Sequence, residues 1–135
     1  MNTRILLIPA AVAALSSCAA FGGGRSLSRG PELAAAEGEV SFTRMPGSGT
    51  AVDLRVKHLR EPERLDPPGY AYVAWAQARS DEPPVNLGLL NMAPDLSGEL
   101  RVMTEVPCTE LFITAEASGD AERPSGRRLL WAACD

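Results

Sequence analysis

The single histidine is the first candidate for chemistry, because a histidine can act as a general base when a carboxylate orients it beside a nucleophile. His58 lies close to the positively charged Arg55 and Lys57 in the sequence. Asp53 and Asp66 flank it at a distance, but the chain has no GxSxG or comparable nucleophile turn. We therefore expect no catalytic triad and no enzyme, with a small hydrolase as a distant alternative.

Metal and phosphate ligands are also sparse in the sequence. One histidine and two cysteines that can pair with each other do not make a zinc shell. Glu116, Asp120 and Glu122 form an acidic loop without the dense spacing of calcium loops. Residues 47–49 read Gly-Ser-Gly, but no helix or lysine of a phosphate loop follows. We expect no metal and no cofactor.

Cys18 is a candidate for modification because of what precedes it. Arg4 is followed by an uncharged run over residues 5–15, which is too short to be a membrane span. Such a run followed by small residues is typical of a cleaved secretory signal. The four residues Leu15-Ser16-Ser17-Cys18 resemble the lipobox of bacterial lipoproteins at every position.

The lipoprotein resemblance implies cleavage before Cys18, with a diacylglyceryl group on its sulfur and an acyl chain on its new amine. One acyl chain gives only marginal membrane binding, whereas several give stable anchoring. The resemblance thus implies a protein held by membrane lipid without spanning it. Ala19 follows the cysteine, which by the same resemblance implies export to the outer membrane of a bacterial cell envelope, facing the periplasm. An ordinary secretory signal with a chance cysteine is the alternative.

Cys108 and Cys134 remain as a pair if Cys18 carries lipid. An even cysteine count outside the cytoplasm is most simply interpreted as one disulfide. A thiol pair used for metal binding or redox chemistry is the alternative, although the spacing is not CxxC. We predict a disulfide between Cys108 and Cys134.

The composition bounds the partners and the size of the folded part. Without residues 1–17 the chain keeps all 17 acidic residues and loses only Arg4 of its 13 basic ones, so it is mildly acidic. Binding to nucleic acid requires clustered Lys and Arg, so we expect no nucleic acid partner. The length suits a single domain. We predict a signal peptide over 1–17, a lipidated cysteine with a flexible Gly-rich tether over 18–37, and one domain over 38–135.

The folded part shows short β-like segments between clusters of Pro and Gly. Residues 50–59 alternate apolar and charged side chains, as expected of a half-buried strand. Residues 70–79 carry no charge before Arg79, which indicates a central strand covered on both faces. Residues 85–92 and 98–104 read as two strands joined by a hairpin connection. The predicted strands are 40–45, 50–59, 70–79, 85–92, 98–104, 109–117 and 127–135.

Seven such strands without a convincing helix predict an all-β fold, a single antiparallel immunoglobulin-like β-sandwich. Trp75 is predicted as the central core aromatic and Trp131 as a second core or rim contact. Gly88 permits a bulge or close backbone approach within a strand. Glu116, at a strand end, is placed to accept hydrogen bonds from amides of the following loop.

Several short motifs follow one another between residues 70 and 126. They are Tyr72 with Trp75, Pro83-Pro84 with Leu87-Gly88, Phe112 to Glu116 with Ser118-Gly119, and Pro124-Ser125-Gly126. In order and spacing these motifs resemble the extracytoplasmic domain of anti-sigma-K-type factors. Ala117 and Ser125 depart from the family, which usually carries Pro and Thr there.

The family's cytoplasmic sigma-binding part and membrane helix find no match in this sequence. The resemblance therefore implies a β-sandwich outside the cytoplasm and not sigma-factor binding. Together these features predict a non-enzymatic, lipid-anchored envelope protein that binds a protein or envelope component. A regulatory sensor module related to anti-sigma factor ectodomains is the alternative.

Overall fold

The computed structural model describes residues 24–47 and 49–134. Regular structure in this part of the chain is β-strand, apart from two 3-10 turns at Pro31–Leu33 and Pro62–Arg64. Within the described residues, ten strands form two antiparallel sheets of five strands each. In chain order they are β1 (Arg25–Ser26), β2 (Ser28–Arg29), β3 (Glu37–Arg44), β4 (Thr50–Lys57), β5 (Ala71–Gln77), β6 (Val85–Leu89), β7 (Asn91–Met92), β8 (Gly98–Thr104), β9 (Glu110–Glu116) and β10 (Leu130–Ala133).

The two sheets confirm the predicted all-β sandwich. The first sheet has the order β1-β3-β4-β8-β7 and the second has the order β2-β10-β9-β5-β6. Apart from β1 and β2, these orders follow the ABED and GFC sheets of immunoglobulin domains, with β6 as an added C′ strand. The seven longer strands correspond to the seven predicted ones. The three additional strands, β1, β2 and β7, have two residues each.

Strand β4 shows how the alternation in the sequence becomes two faces. Val52, Leu54 and Val56 are buried between the sheets, as apolar side chains at every second position of a strand should be. On the opposite face the carboxylate of Asp53 lies 3.5 Å from Arg55 and 3.6 Å from Arg101 of β8. These ion pairs are exposed and contribute little to stability, so burial of the apolar face holds the strand in place.

Strand β5 is covered on both faces, as predicted. It lies between β9 and β6, and residues 72–76 are all fully buried. Tyr72, Ala74 and Ala76 face the core between the sheets, whereas Val73 and Trp75 point outward into a second cluster. The prediction that Trp75 is the central core aromatic is therefore wrong. Tyr72 takes that place between the sheets. Trp75 is equally buried, but on the outer face, where the loop after β9 covers it.

The amino-terminal boundary of the domain differs from the prediction. Residues 24–37 were expected to belong to the tether, yet β1 pairs with β3 and β2 pairs with β10. Between the two short strands the chain crosses from one sheet to the other at Leu27, which is buried like Leu33 and Ala36. These three side chains close one side of the core. The correction leaves at most residues 18–23, which lie outside the described residues, for a tether.

The other side of the sandwich is closed in the same way at Leu90. Residues 85–92 were predicted as one strand, but β6 belongs to the second sheet and β7 to the first. Leu90 lies between them and is buried, with its amide donating to Tyr72 O at 2.9 Å. The predicted hairpin exists only between β7 and β8. The predicted irregularity at Gly88 is confirmed, with a φ of 140° and a register shift between Ala74 and Trp75 on the neighbouring strand.

Tyr72 fastens the connection between β4 and β5 to the core. Its hydroxyl donates a hydrogen bond to Arg60 O at 2.6 Å, and its burial raises its pKa to about 12. We expect Tyr72→Phe to lower the free energy of unfolding by about 1 kcal/mol, because a buried hydrogen bond is lost while the ring is kept. Tyr70→Phe is the matched control, since Tyr70 is 72% exposed. Urea denaturation at neutral pH measures both variants.

The same hydroxyl makes stability depend on alkaline pH. Because the pKa of Tyr72 is raised from 10.0 to about 12, the unfolded chain releases this proton at a lower pH than the folded chain does. This contribution to stability is complete below pH 10 and declines between pH 10 and pH 12, by up to about 1.4 kcal/mol per pH unit. We expect Tyr72→Phe to lack this decline. Parallel curves for the wild type and the variant would contradict the assignment.

Candidate functional site

The predicted lipidation site lies outside the described residues. Cys18 and the motif Leu15-Ser16-Ser17 precede residue 24, where the described structure begins. The lipidation of Cys18 therefore stays a prediction. The other candidate residues fall within the sandwich.

Cys108 and Cys134 lie together at one end of the sandwich. Their Cα atoms are 5.7 Å apart, within the range that disulfides span. Cys108 belongs to the connection that crosses from β8 in the first sheet to β9 in the second, and Cys134 follows β10. The Cys134 amide also donates to Thr109 O at 3.1 Å. The pair is thus at disulfide distance, and a disulfide there would tie the end of β10 to the crossing between the sheets.

A cavity of about 630 Å³ opens beside this cysteine pair. Its size is within the range of small-molecule binding sites. Val52, Ala76 and Leu87 belong to the core and line it, while Arg44 and Glu105 are exposed charged residues of the lining. The full lining is Phe42, Arg44, Met45, Gly49, Thr50, Val52, Ala76, Leu87, Thr104, Glu105, Val106, Pro107, Cys108 and Cys134. This combination suits a small ligand with both apolar and polar groups.

A chain of buried polar groups lies on the outer face of the second sheet. Trp75 Nε1 donates to Thr114 Oγ1 at 2.8 Å, and Thr114 Oγ1 donates to the carboxylate of Glu116. The same carboxylate accepts from the Ser125 amide at 3.0 Å, the Ser125 hydroxyl at 2.6 Å and the Gly126 amide at 3.4 Å. The prediction that Glu116 accepts hydrogen bonds from amides of the following loop is confirmed.

Glu116 is 2% exposed, and its charge is satisfied by these donors. Burial by itself would raise the pKa of Glu116, but the hydrogen bonds from Ser125 and Thr114 outweigh that effect and lower the pKa below its ordinary value of 4.5. The group is therefore an ionised acceptor at neutral pH. Its oxygens are engaged by the chain's own donors, which argues for a structural role.

A loop over residues 117–129 covers the apolar part of this face. Trp75 and Phe112 stack with ring centroids 6.5 Å apart, and Ala121 and Trp131 pack against them. Arg128 places its guanidinium 4.1 Å from the centre of the Phe112 ring, a cation–π contact. Trp131, predicted as a second core or rim contact, is partly buried and packs against this second cluster.

Asn86 holds the near part of the loop. Its side-chain amide donates to Gly119 O at 3.0 Å and to Ala121 O at 2.9 Å. With the Glu116 contacts, the loop is thus fastened at both ends to the sheet below it. Sequence reasoning missed Asn86 and Thr114. The only available signal for Thr114 was a polar residue at the outward position before Glu116 in an otherwise apolar strand.

His58 follows β4 and is exposed, with a φ of 59°. Asp53, one of its two flanking carboxylates, is engaged by Arg55 and Arg101 on the first sheet. Across residues 24–47 and 49–134, no three His, Cys, Asp or Glu side chains come together as a metal-binding group. The described part of the chain contains no helix long and apolar enough to cross a bilayer.

Comparisons with known proteins add no family to these observations. The sequence matches no protein-family model, and no curated protein matches it significantly.

Proposed function

We propose that the protein is a lipid-anchored, non-enzymatic β-sandwich of a bacterial cell envelope that binds a protein or another envelope component. The observation that carries the proposal is the motif Leu15-Ser16-Ser17-Cys18 at the end of an uncharged apolar run. In this proposal Cys18 is acylated, and the domain faces the periplasm from the outer membrane. A disulfide between Cys108 and Cys134 agrees with that oxidising compartment.

Two features of the sandwich support a binding role. The cavity beside the cysteine pair is large enough for a small ligand. At the opposite end of the molecule Tyr70 is 72% exposed, and aromatic side chains are frequent anchors of protein interfaces. Neither feature involves the buried Glu116 network, whose role is structural.

The alternative proposal is a regulatory sensor module related to the ectodomains of anti-sigma-K-type factors. One observation favours it: the motif residues Trp75, Glu116, Ser125 and Gly126 meet in a single hydrogen-bonded network. A network of this kind would explain why the same motifs occur together in this chain and in the anti-sigma factor ectodomains that it resembles. Deletion of the protein should change transcription of an envelope-stress regulon under this alternative and leave it unchanged under the first proposal.

The anchor is tested by metabolic labelling in a bacterial host. We expect the wild type to incorporate labelled palmitate and to fractionate with membranes, and Cys18→Ser to lose both properties. Ser17→Ala is the matched control, since it keeps a small residue before the cysteine and should be labelled like the wild type. An unlabelled wild type, with unchanged fractionation of Cys18→Ser, would contradict the proposal.

Partner binding is tested by crosslinking in intact cells. A photo-crosslinking amino acid in place of Tyr70 should capture one defined envelope protein, identified by mass spectrometry after pull-down. The same amino acid at Leu89, which is 49% exposed, controls for random collisions. Identical products from both positions, or none from either, would argue against a specific partner at this end. A turnover abolished by His58→Ala would instead support the hydrolase alternative.

A further inference from the structure

We propose that the end of the sandwich carrying the cavity faces the bilayer and rests on the lipid surface. This end, called the cavity end below, consists of the end of β3 with Met45, the end of β8, the loop over 78–84 and the connection over 105–109. The inference rests on the proposed anchor at Cys18 and specifies how that anchor orients the domain.

The direction in which the chain enters the domain is the first argument. Strand β1 is antiparallel to β3, with Ser26 opposite Glu39 and Arg25 opposite Val40. Moving back along β1 from Ser26 to Arg25 therefore moves forward along β3, toward Arg44. Because Arg44 lines the cavity, the chain enters β1 from the side of the cavity end.

The short distance in sequence to Cys18 is the second argument. Cys18 and Gly24 are six residue steps apart, with five residues between them, and this connection spans at most about 22 Å when fully extended. The level of Arg44 lies four residues beyond Val40 along β3, or about 13 Å, which is within this reach. To approach the opposite end, the chain would first have to reverse, and a reversal consumes about four residues. The remaining two residues would span about 7 Å, less than the three-residue distance from Val40 back to Glu37.

Exposed apolar side chains mark the same end independently of the anchor. Met45 is 40% exposed, and Met103, opposite Ala51 at the start of β4, is 53% exposed. Val85, 41% exposed, pairs with Ala76 where β5 meets the cavity. Unbranched methionine side chains adapt readily to an irregular apolar surface. A lipid surface is thus a suitable partner for this end.

The charges at the cavity end decide what kind of lipid contact this is. Among its described residues are three carboxylates and two guanidinium groups, those of Asp81, Glu82, Glu105, Arg44 and Arg79. Attraction to anionic lipids requires clusters of Lys and Arg, which this end lacks. The contact should therefore depend on the tether and on apolar side chains, and it should be insensitive to salt.

The test uses the full lipidated protein, purified from membranes and reconstituted in vesicles of phosphatidylethanolamine and phosphatidylglycerol with labelled acyl chains. A photo-crosslinking amino acid replaces Met103 or, as the control, Leu89. The two positions have similar exposure, 53% and 49%, but Leu89 pairs with Val73, away from the cavity. We expect acyl-chain crosslinks from position 103 to exceed those from position 89 severalfold, in low and in high salt.

A longer tether provides the second arm of the test. Inserting ten Gly and Ser residues between Gly23 and Gly24 lengthens the connection between Cys18 and the domain from six residue steps to 16. Since effective concentration falls roughly as the −3/2 power of linker length, we expect crosslinks from position 103 to fall about fourfold. Membrane association should not change, because the acyl chains are the same.

The outcomes separate the orientation from the anchor. If the protein floats with the vesicles but position 89 reacts as strongly as position 103, or if the insertion has no effect, the orientation is wrong and the anchor stands. If the purified protein does not associate with vesicles and carries no acyl mass, the proposed anchor fails and the orientation fails with it.

Discussion

Replacing Cys108 and Cys134 together by serine should lower the free energy of unfolding by about 3.5 kcal/mol in the chain-entropy account of disulfides. The two residues are 26 apart in sequence. A disulfide would close a loop of that length and so lower the conformational entropy of the unfolded chain. Serine is close to cysteine in size, and both positions are only partly buried, which limits other effects. Urea denaturation of the domain under non-reducing conditions measures the loss.

Reductant provides the matched control for this experiment. Dithiothreitol should destabilise the wild type by the same amount and leave the double serine variant unchanged. Mass spectrometry of the wild type without reductant should show one peptide pair joined through Cys108 and Cys134. A wild type whose unfolding midpoint does not respond to reductant would contradict a disulfide, and two free thiols would lead to the same conclusion.

Loss of a disulfide at this position should also loosen the backbone that lines the cavity. Cys108 and Cys134 both line it, and a disulfide between them would restrain the connection over residues 105–109. We expect amides in that connection to exchange faster after reduction, whereas amides of β4 and β9 keep their protection, because local opening follows local restraint. Partner capture at Tyr70, at the other end of the molecule, should be unaffected.

The strands could be predicted because burial on one face leaves a period of two in the sequence. Val52, Leu54 and Val56 alternate with charged residues, so β4 was located almost to its ends. The uncharged run over 70–79 likewise indicated a strand buried on both faces. The position of Glu116, at a strand end before a Gly- and Pro-containing loop, was enough to predict its amide partners.

Short and sheet-switching segments could not be predicted from the same signal. Strands β1 and β2 have two residues each, which is too few to show any period. Leu27, Leu33 and Ala36 close the side of the core as isolated apolar residues in a polar, Gly-containing segment. Their contribution depends on β3 and β10, which are distant in sequence, so local composition indicated a tether instead.

The place of Trp75 shows the same limit for the candidate site. Alternation assigns Trp75 to the face opposite Tyr72, but it does not say which face points to the core. That choice depends on the loop over 117–129, which covers the outer face from more than 40 residues away. The cavity lining was equally hidden, because the strand ends and connections that form it come together only in the folded sandwich.

Replacing Glu116 by glutamine should have the second large effect, a loss of about 3 kcal/mol in the free energy of unfolding. The carboxylate accepts hydrogen bonds from Thr114, Ser125 and Gly126, and hydrogen bonds to a charged group are worth about 1.5–3 kcal/mol each. A glutamine keeps one acceptor oxygen but turns its NH2 group toward donors, which leaves buried groups unpaired. Glu122→Gln, an exposed change in the same loop, should stay within about 0.5 kcal/mol of the wild type.

The pH dependence separates the lost charge from a general packing defect. The pKa of Glu116 is lowered in the folded protein relative to its ordinary value of 4.5. A lowered pKa means that the unfolded state binds the proton more readily, so this stabilisation is present above pH 4.5 and is lost as the pH falls through the lower folded pKa. The difference in stability between the wild type and Glu116→Gln should therefore shrink below pH 4.5. A difference that is constant from pH 7 to pH 3 would contradict the role assigned to the carboxylate.

Local exchange gives the final distinction, because Glu116 holds one loop and not the whole sandwich. In Glu116→Gln we expect amides around Ser125 and Gly126 to exchange much faster at neutral pH, while the core strand β4 stays protected. Opening of the loop should also expose the stacked rings of Trp75 and Phe112, so acrylamide should quench tryptophan fluorescence more strongly than in Glu122→Gln. If the loop amides keep their protection and the quenching does not change, Ser125 and Gly126 are held by other contacts. The carboxylate then could not be the group that fastens the loop to the sheet.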